Sequence, residues 1–141
     1  MFSERIDKQQ IELGQDFAPK FDERGLIPCI TVDADSGEIL MFAWMNKEAL
    51  MKTIESGKAT YYSRSRDKIW VKGESSGRFQ NVEKILVDCD QDVVQIRVRM
   101  MKEGACHNGF RSCFYRSVDS EDSDSLVYEI DERSFDPDDV Y

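Results

Sequence analysis

Apolar and polar residues alternate over residues 27–33 and again over 38–44, with Asp35-Ser36-Gly37 between the two runs. A period of two sends successive side chains to opposite faces of an extended chain, and a polar triplet ending in glycine reverses it, which predicts a β-hairpin. The period then lengthens. Asn46 is a good N-cap, Ala49, Leu50, Thr53 and Ile54 recur at helical spacing, and Gly57 is a C-cap, so one helix is predicted over 47–56. Short strands follow at 60–63 and 69–71, and Gly73 to Gly77 reads as a loop. The β-branched runs 82–87 and 93–101 are the strongest strand signals, and 113–118 and 126–130 complete the set. Residues 1–24 read as an amphipathic lead-in, helical around 6–17 and ended by Pro19. The predicted class is α+β: one strand-rich domain, a folded mixed sheet or partial barrel with one main helix.

A chain of 141 residues, 40% hydrophobic and 33% charged, is expected to form a single globular domain. It has no apolar run near the roughly 20 residues of a membrane span, and the charged start lacks the apolar core of a secretory signal. A cytoplasmic location is expected, where four cysteines serve as thiols or ligands rather than disulfides. The net charge of −9 changes this picture little, because residues 119–141 carry all of it, with ten acids against Arg133 alone. Residues 25–118 form the body, and the acidic end reads as a solvated segment of the same domain or as a docking element for a second subunit. The charge balance argues against nucleic acid as a partner.

The chemistry lies in Asp88-Cys89-Asp90-Gln91-Asp92, Cys106-His107 and Cys113. Carboxylates suit Mg²⁺ and thiolates suit Zn²⁺. In an extended strand Asp88 and Asp92 would stand roughly 13 Å apart, too far for one Mg²⁺ to bridge. Either the segment bends or only two carboxylates bind, and its place between two strands favours a bend. Cys89, Cys106 and Cys113 form no Cys-x-x-Cys, and three thiolates leave one zinc position open, as in catalytic sites. Three thiolates also leave a zinc centre near −1 and a weaker acid, which needs help from Mg²⁺ or a base. His107, the one histidine, would project away from Cys106 and fits a general base or proton carrier better than a ligand. Cys29 reads as a small buried residue. Residues 63–78 hold five bases and two acids, with Arg64, Arg66 and Lys72 beside a Gly/Ser loop, which suits phosphate; Arg111 is a further candidate.

Together the blocks from Gly37 to Asn46, Tyr62-Ser63-Arg64-Ser65-Arg66, Trp70 to Gly77, Asp88 to Asp92, and Cys106 through Tyr115 resemble phosphoribosyl-AMP cyclohydrolase of histidine biosynthesis. The resemblance runs in order over residues 25–118. It implies hydrolytic opening of the adenine ring of N1-(5-phosphoribosyl)-AMP at the N1–C6 bond. It implies a homodimer with one Zn²⁺ and one Mg²⁺ per subunit at sites shared across the interface. Its zinc thiolates correspond to Cys89, Cys106 and Cys113 and its magnesium carboxylates to Asp88, Asp90 and Asp92. His107 would move the proton, and Arg64, Arg66, Lys72, Glu74, Ser75, Ser76, Gly77 and Arg111 would bind the substrate. The chain is expected to be monofunctional, since the residues after Val118 are too few for the pyrophosphohydrolase domain fused to this activity elsewhere. A zinc nucleobase deaminase would need His-x-Glu and Pro-Cys-x-x-Cys, which this sequence lacks. A non-catalytic zinc staple would need a closed four-ligand site.

Overall fold

In the computed structural model, which describes residues 2–141, β1 (Leu26–Asp33) and β2 (Ile39–Asn46) form the expected antiparallel hairpin. Helix α2 (Lys47–Ser56) follows at once. The Asn46 side chain accepts the Ala49 N–H at 2.8 Å, and Gly57 closes the helix at φ 73°. Ala49, Leu50 and Thr53 face inward, whereas Ile54 remains 45% exposed. Strands β3 (Thr60–Ser63), β4 (Lys68–Val71), β5 (Gln80–Val87) and β6 (Val94–Met100) complete a six-stranded sheet in the order β4-β3-β2-β1-β6-β5.

The sheet is mixed because β1 and β6 run parallel, with Cys29 opposite Val94, while the other neighbours are antiparallel. An isolated bridge between Lys58 and Asn81 ties the chain before β3 to the far strand β5, so the sheet curls into a half-barrel. Ile27, Met45, Leu50, Val94, Ile96 and Val98 fill its core. Tyr61 is fully buried there, and its hydroxyl bonds Thr31 Oγ1 at 2.7 Å and Gln80 Oε1 at 2.6 Å, which removes the cost of burying a phenol. Cys29 lies in the same core, 0% exposed.

Both ends of the chain depart from expectation. The lead-in forms only a six-residue helix, α1 (Lys8–Leu13), which buries nothing and stops at Gly14. Its apolar pattern is misleading: Ile6 and Leu13 are exposed, and Phe2, Phe17 and Phe21 are the residues that pack against the core. At the other end, the strand expected over 113–118 shortens to β7 (Arg116–Val118), because Cys113 N–H is used by Leu40 O of β2. β7 pairs with β8 (Leu126–Tyr128), and a single 3₁₀ turn, Pro137–Asp139, follows. Residues 120–124 are exposed, but Ile130 is buried with Cys106 and Phe110, so the acidic segment folds back onto the body. No helix among the described residues is long and apolar enough to cross a membrane.

Candidate active site

The Asp88–Asp92 segment bends. Its bend is a turn in which Gln91 N–H donates to Asp88 O at 3.1 Å and Gln91 adopts φ 58°, while Asp88 Oδ1 accepts the Asp92 and Val93 N–H groups. The result brings one oxygen from each of Asp88, Asp90 and Asp92 within 4.8 Å of the others. Three carboxylates that close repel and compete for protons. Hydrogen bonding to Asp88 and then Asp90 pushes the Asp92 carboxyl up to about 6. Asp88 feels desolvation, which raises it, but hydrogen bonds from Asp92 and from the Val93 and Asp92 N–H groups outweigh this and hold it below the usual range. Such a cluster is short of positive charge, and its donors are the hard oxygens that Mg²⁺ takes.

The turn is held from outside. Gln91 is 5% exposed, and its side chain accepts the Ala18 N–H at 2.8 Å and donates to Ile11 O and Asp16 O at 2.9 and 3.1 Å. Lys20 N–H bonds the Gln91 carbonyl, and Arg5 bridges Ala18 O and Asp90 O. The lead-in is therefore a cradle for the aspartate turn. Nothing in the local sequence announces this, because the partners lie more than seventy positions away.

Cys106 opens a second turn, closed by Gly109 N–H to Cys106 O at 2.9 Å. Cys106 is buried and His107 exposed. The Asn108 N–H points at Cys106 Sγ, 3.5 Å away. Cys113 follows on the far side of this turn. Burial first, and then the charge of Cys106, push the Cys113 thiol up to about 12, against the opposing pull of Lys72. The Lys72 ammonium donates to Ala105 O at 2.6 Å; burial lowers its pKa, while Cys113 and Cys106 raise it. Cys89 is exposed on the aspartate turn and does not join this pair within one chain: among the described residues the three aspartates are the sole cluster of three ligand groups.

A cavity of about 510 Å³ gathers Arg66, Lys72, Glu74, Ser75, Ser76, His107 and Cys113 with Trp70 and Tyr141. It joins most of the phosphate-loop candidates to the Cys-His turn. Gly77 closes the loop through its N–H to Gly73 O at 2.7 Å rather than lining the cavity. Arg64 is placed over the Trp44 ring at 5.2 Å, outside the cavity. Arg111 is not brought together with the others. It forms a two-pronged ion pair with Glu38 at 3.0 and 3.2 Å and lines a different cavity of about 580 Å³. That second cavity is the larger, but its other arginine, Arg99, is likewise paired, with Asp35 and Glu83, so it offers little free positive charge to an anion. The smaller cavity is the better candidate for chemistry. Sequence reasoning missed Asn108, Gln91 and Tyr141; the glycine two positions after His107 hinted at the Asn108 turn, and no local signal marks the other two.

The sequence profile described as phosphoribosyl-AMP cyclohydrolase matches residues 41–115. A phosphoribosyl-AMP cyclohydrolase of Rhodopseudomonas palustris (strain HaA2) is 56% identical over 133 residues, covering 93% of this chain and 90% of the relative. The chain belongs to the phosphoribosyl-AMP cyclohydrolase family. Cyclohydrolases of Rhizobium leguminosarum bv. trifolii and Bradyrhizobium diazoefficiens are each 51% identical, covering 96% and 94% of this chain and 91% and 94% of the relatives. The cyclohydrolase profile takes in the aspartate turn, Cys106, His107 and Cys113, and it ends at Tyr115, before the acidic segment.

Proposed function

We propose that this cyclohydrolase opens the adenine ring of N1-(5-phosphoribosyl)-AMP by hydrolysis of N1–C6, a step of L-histidine biosynthesis that yields the formimino-type aminoimidazole carboxamide ribotide. We further propose that it acts in the cytoplasm as a homodimer with one Zn²⁺ and one Mg²⁺ per subunit. The observation that carries the reading is the single cavity holding Arg66, Lys72, the Ser75-Ser76 loop, His107 and Cys113.

The donor sets suit these ions. Asp88, Asp90 and Asp92 would hold Mg²⁺, and Cys106 and Cys113 would hold Zn²⁺ with Cys89 of a second copy, since Cys89 lies apart from the pair within one chain. Zn²⁺ bound there would supply a water acidic enough to attack, and Mg²⁺ would supply charge against phosphate. Lys72, beside both sulfurs, offsets the excess negative charge of three thiolates. Ribosylation at N1 leaves C6 electron-poor. His107 takes the proton from the attacking water and returns it to N1 as the C6–N1 bond breaks. Arg66 and the Ser75-Ser76 backbone bind the phosphates, and Arg64 reaches them after leaving the Trp44 face. Arg111 would have to leave Glu38 to join them.

An absorbance assay with phosphoribosyl-AMP on metal-stripped protein, restoring Zn²⁺ and Mg²⁺ separately and together, tests the reading. Turnover that returns with both ions is expected; undiminished turnover without any metal would overturn it.

A further inference from the structure

The turn that carries Cys106 and His107 is not stabilised by the sheet alone. Its apolar support is a small core of Cys106, Phe110 and Ile130, with Tyr115 stacked on Phe110 at 4.0 Å between ring centres. Ile130 comes from the acidic segment, and so does Tyr128, 5.9 Å from the Tyr115 ring. Farther along, the N–H groups of Ser134 and Phe135 both point at Gly109 O, at 2.7 and 3.3 Å. The Phe135 ring lies against Gly104 so closely that a Cβ there would stand 2.6 Å from it, and a Cβ on Gly109 would stand 2.2 Å from Phe135 O. The two glycines bracketing Cys106-His107, both at positive φ, thus admit this segment where any side chain would exclude it.

Phe135 also reaches the phosphate loop. The Arg78 guanidinium covers its ring at 3.7 Å and donates to Glu103 O at 3.1 Å and Ser76 O at 3.3 Å. One aromatic ring therefore lies between the Gly104–Gly109 turn and the arginine that holds Ser76. After the 3₁₀ turn, Tyr141 N–H bonds Pro137 O at 2.9 Å, and Tyr141 lines the cavity with His107, Arg66 and Ser76.

We infer that residues 130–141 are part of the catalytic apparatus: Phe135 is a positioning residue that sets the Cys106-His107 turn against the phosphate loop, and Tyr141 is a substrate contact in the cavity wall. The second half of this inference rests on the proposed substrate; the first half does not.

The test uses the full chain with Phe135→Ala, Phe135→Tyr, Tyr141→Ala and Tyr141→Phe. Hydrogen exchange on metal-free protein reads the first half. Phe135→Ala is expected to speed exchange of the amides in 104–110 by about tenfold or more with Ile96 and Val98 unchanged, and Phe135→Tyr is expected to restore protection. Equal acceleration in the central sheet, or none in 104–110, overturns the positioning role whether or not the protein acts on phosphoribosyl-AMP. Steady-state kinetics reads the second half. Tyr141→Ala is expected to raise KM about fivefold or more with kcat nearly unchanged, and Tyr141→Phe is expected to lie nearer to wild type. An unchanged KM overturns the contact, whereas wild-type protein without turnover would sink the proposed function and this half with it.

Discussion

The side-chain carbonyl of Gln91 accepts the backbone N–H of Ala18 at 2.8 Å, and this contact locks the aspartate turn to the lead-in. Gln91→Ala removes it together with the part-buried bonds to Ile11 O and Asp16 O, leaving the buried Ala18 N–H unpaired. The expected loss is about 2–4 kcal/mol of stability, read by urea unfolding. Mg²⁺ affinity of the folded variant should fall about tenfold, because the three carboxylates are no longer held in register. A variant with unchanged midpoint and Mg²⁺ titration would show the contact to be ornamental.

The proposed sharing of one zinc centre between two copies makes a prediction for mixtures. Cys89→Ser and Cys106→Ser should each abolish turnover and zinc binding when alone. Unfolded and refolded together in equal amounts, they should recover about a quarter of wild-type activity, since half of the dimers are mixed and each mixed dimer has one intact site. Recovery of none would place all three sulfurs of a centre in one chain.

His107 is exposed in the cavity and shares no hydrogen bond with Cys106 Sγ, whose contact is the Asn108 N–H. His107→Ala should keep stoichiometric zinc and lower kcat by about 10²–10⁴-fold. Loss of the metal, measured by elemental analysis, would make it a ligand instead.

Two acids of the main core contribute to the alkaline limb of stability. Burial pushes the Cys29 thiol up to about 12, against a weaker pull from Thr31, and burial also holds the Tyr61 phenol well above its usual value. Both pKa values are raised in the fold, so the unfolded chain gives up these protons first, at about 8.5 and 10. The stability they contribute is whole below about pH 8.5 and falls as pH rises toward 12. Cys29→Ala should flatten the decline of Tm between pH 8.5 and 11; parallel curves for the two proteins would refute it.

Legibility in the sequence followed the range of the forces involved. Helix α2 was readable to the residue because both caps are local, Asn46 to Ala49 and Gly57 to Thr53. The bend at Asp88–Asp92 was readable because no straight strand brings three carboxylates to one small cation. The lead-in misleads, since Ile6, Ile11 and Leu13 mimic a helical face that has nothing to cover. The folding back of the acidic segment was invisible: its anchors, Ile130 and Phe135, are single apolar residues in a charged run, and their partners are Cys106 and two glycines. Arg111 looked like a phosphate ligand by type alone, and its pairing with Glu38 depends on a register that type does not reveal.

The parallel pairing of β1 with β6 sets Cys29 beside Val94, more than sixty positions later, at the centre of the sheet. A nascent chain can close the first hairpin and wind α2 early, but one edge of β1 stays open until β6 has left the ribosome. Closing so long a loop is slow, and the unpaired edge meanwhile offers a template to other chains. Synthesis of this protein thus has a vulnerable interval that ends near Val98, the last core residue of that strand.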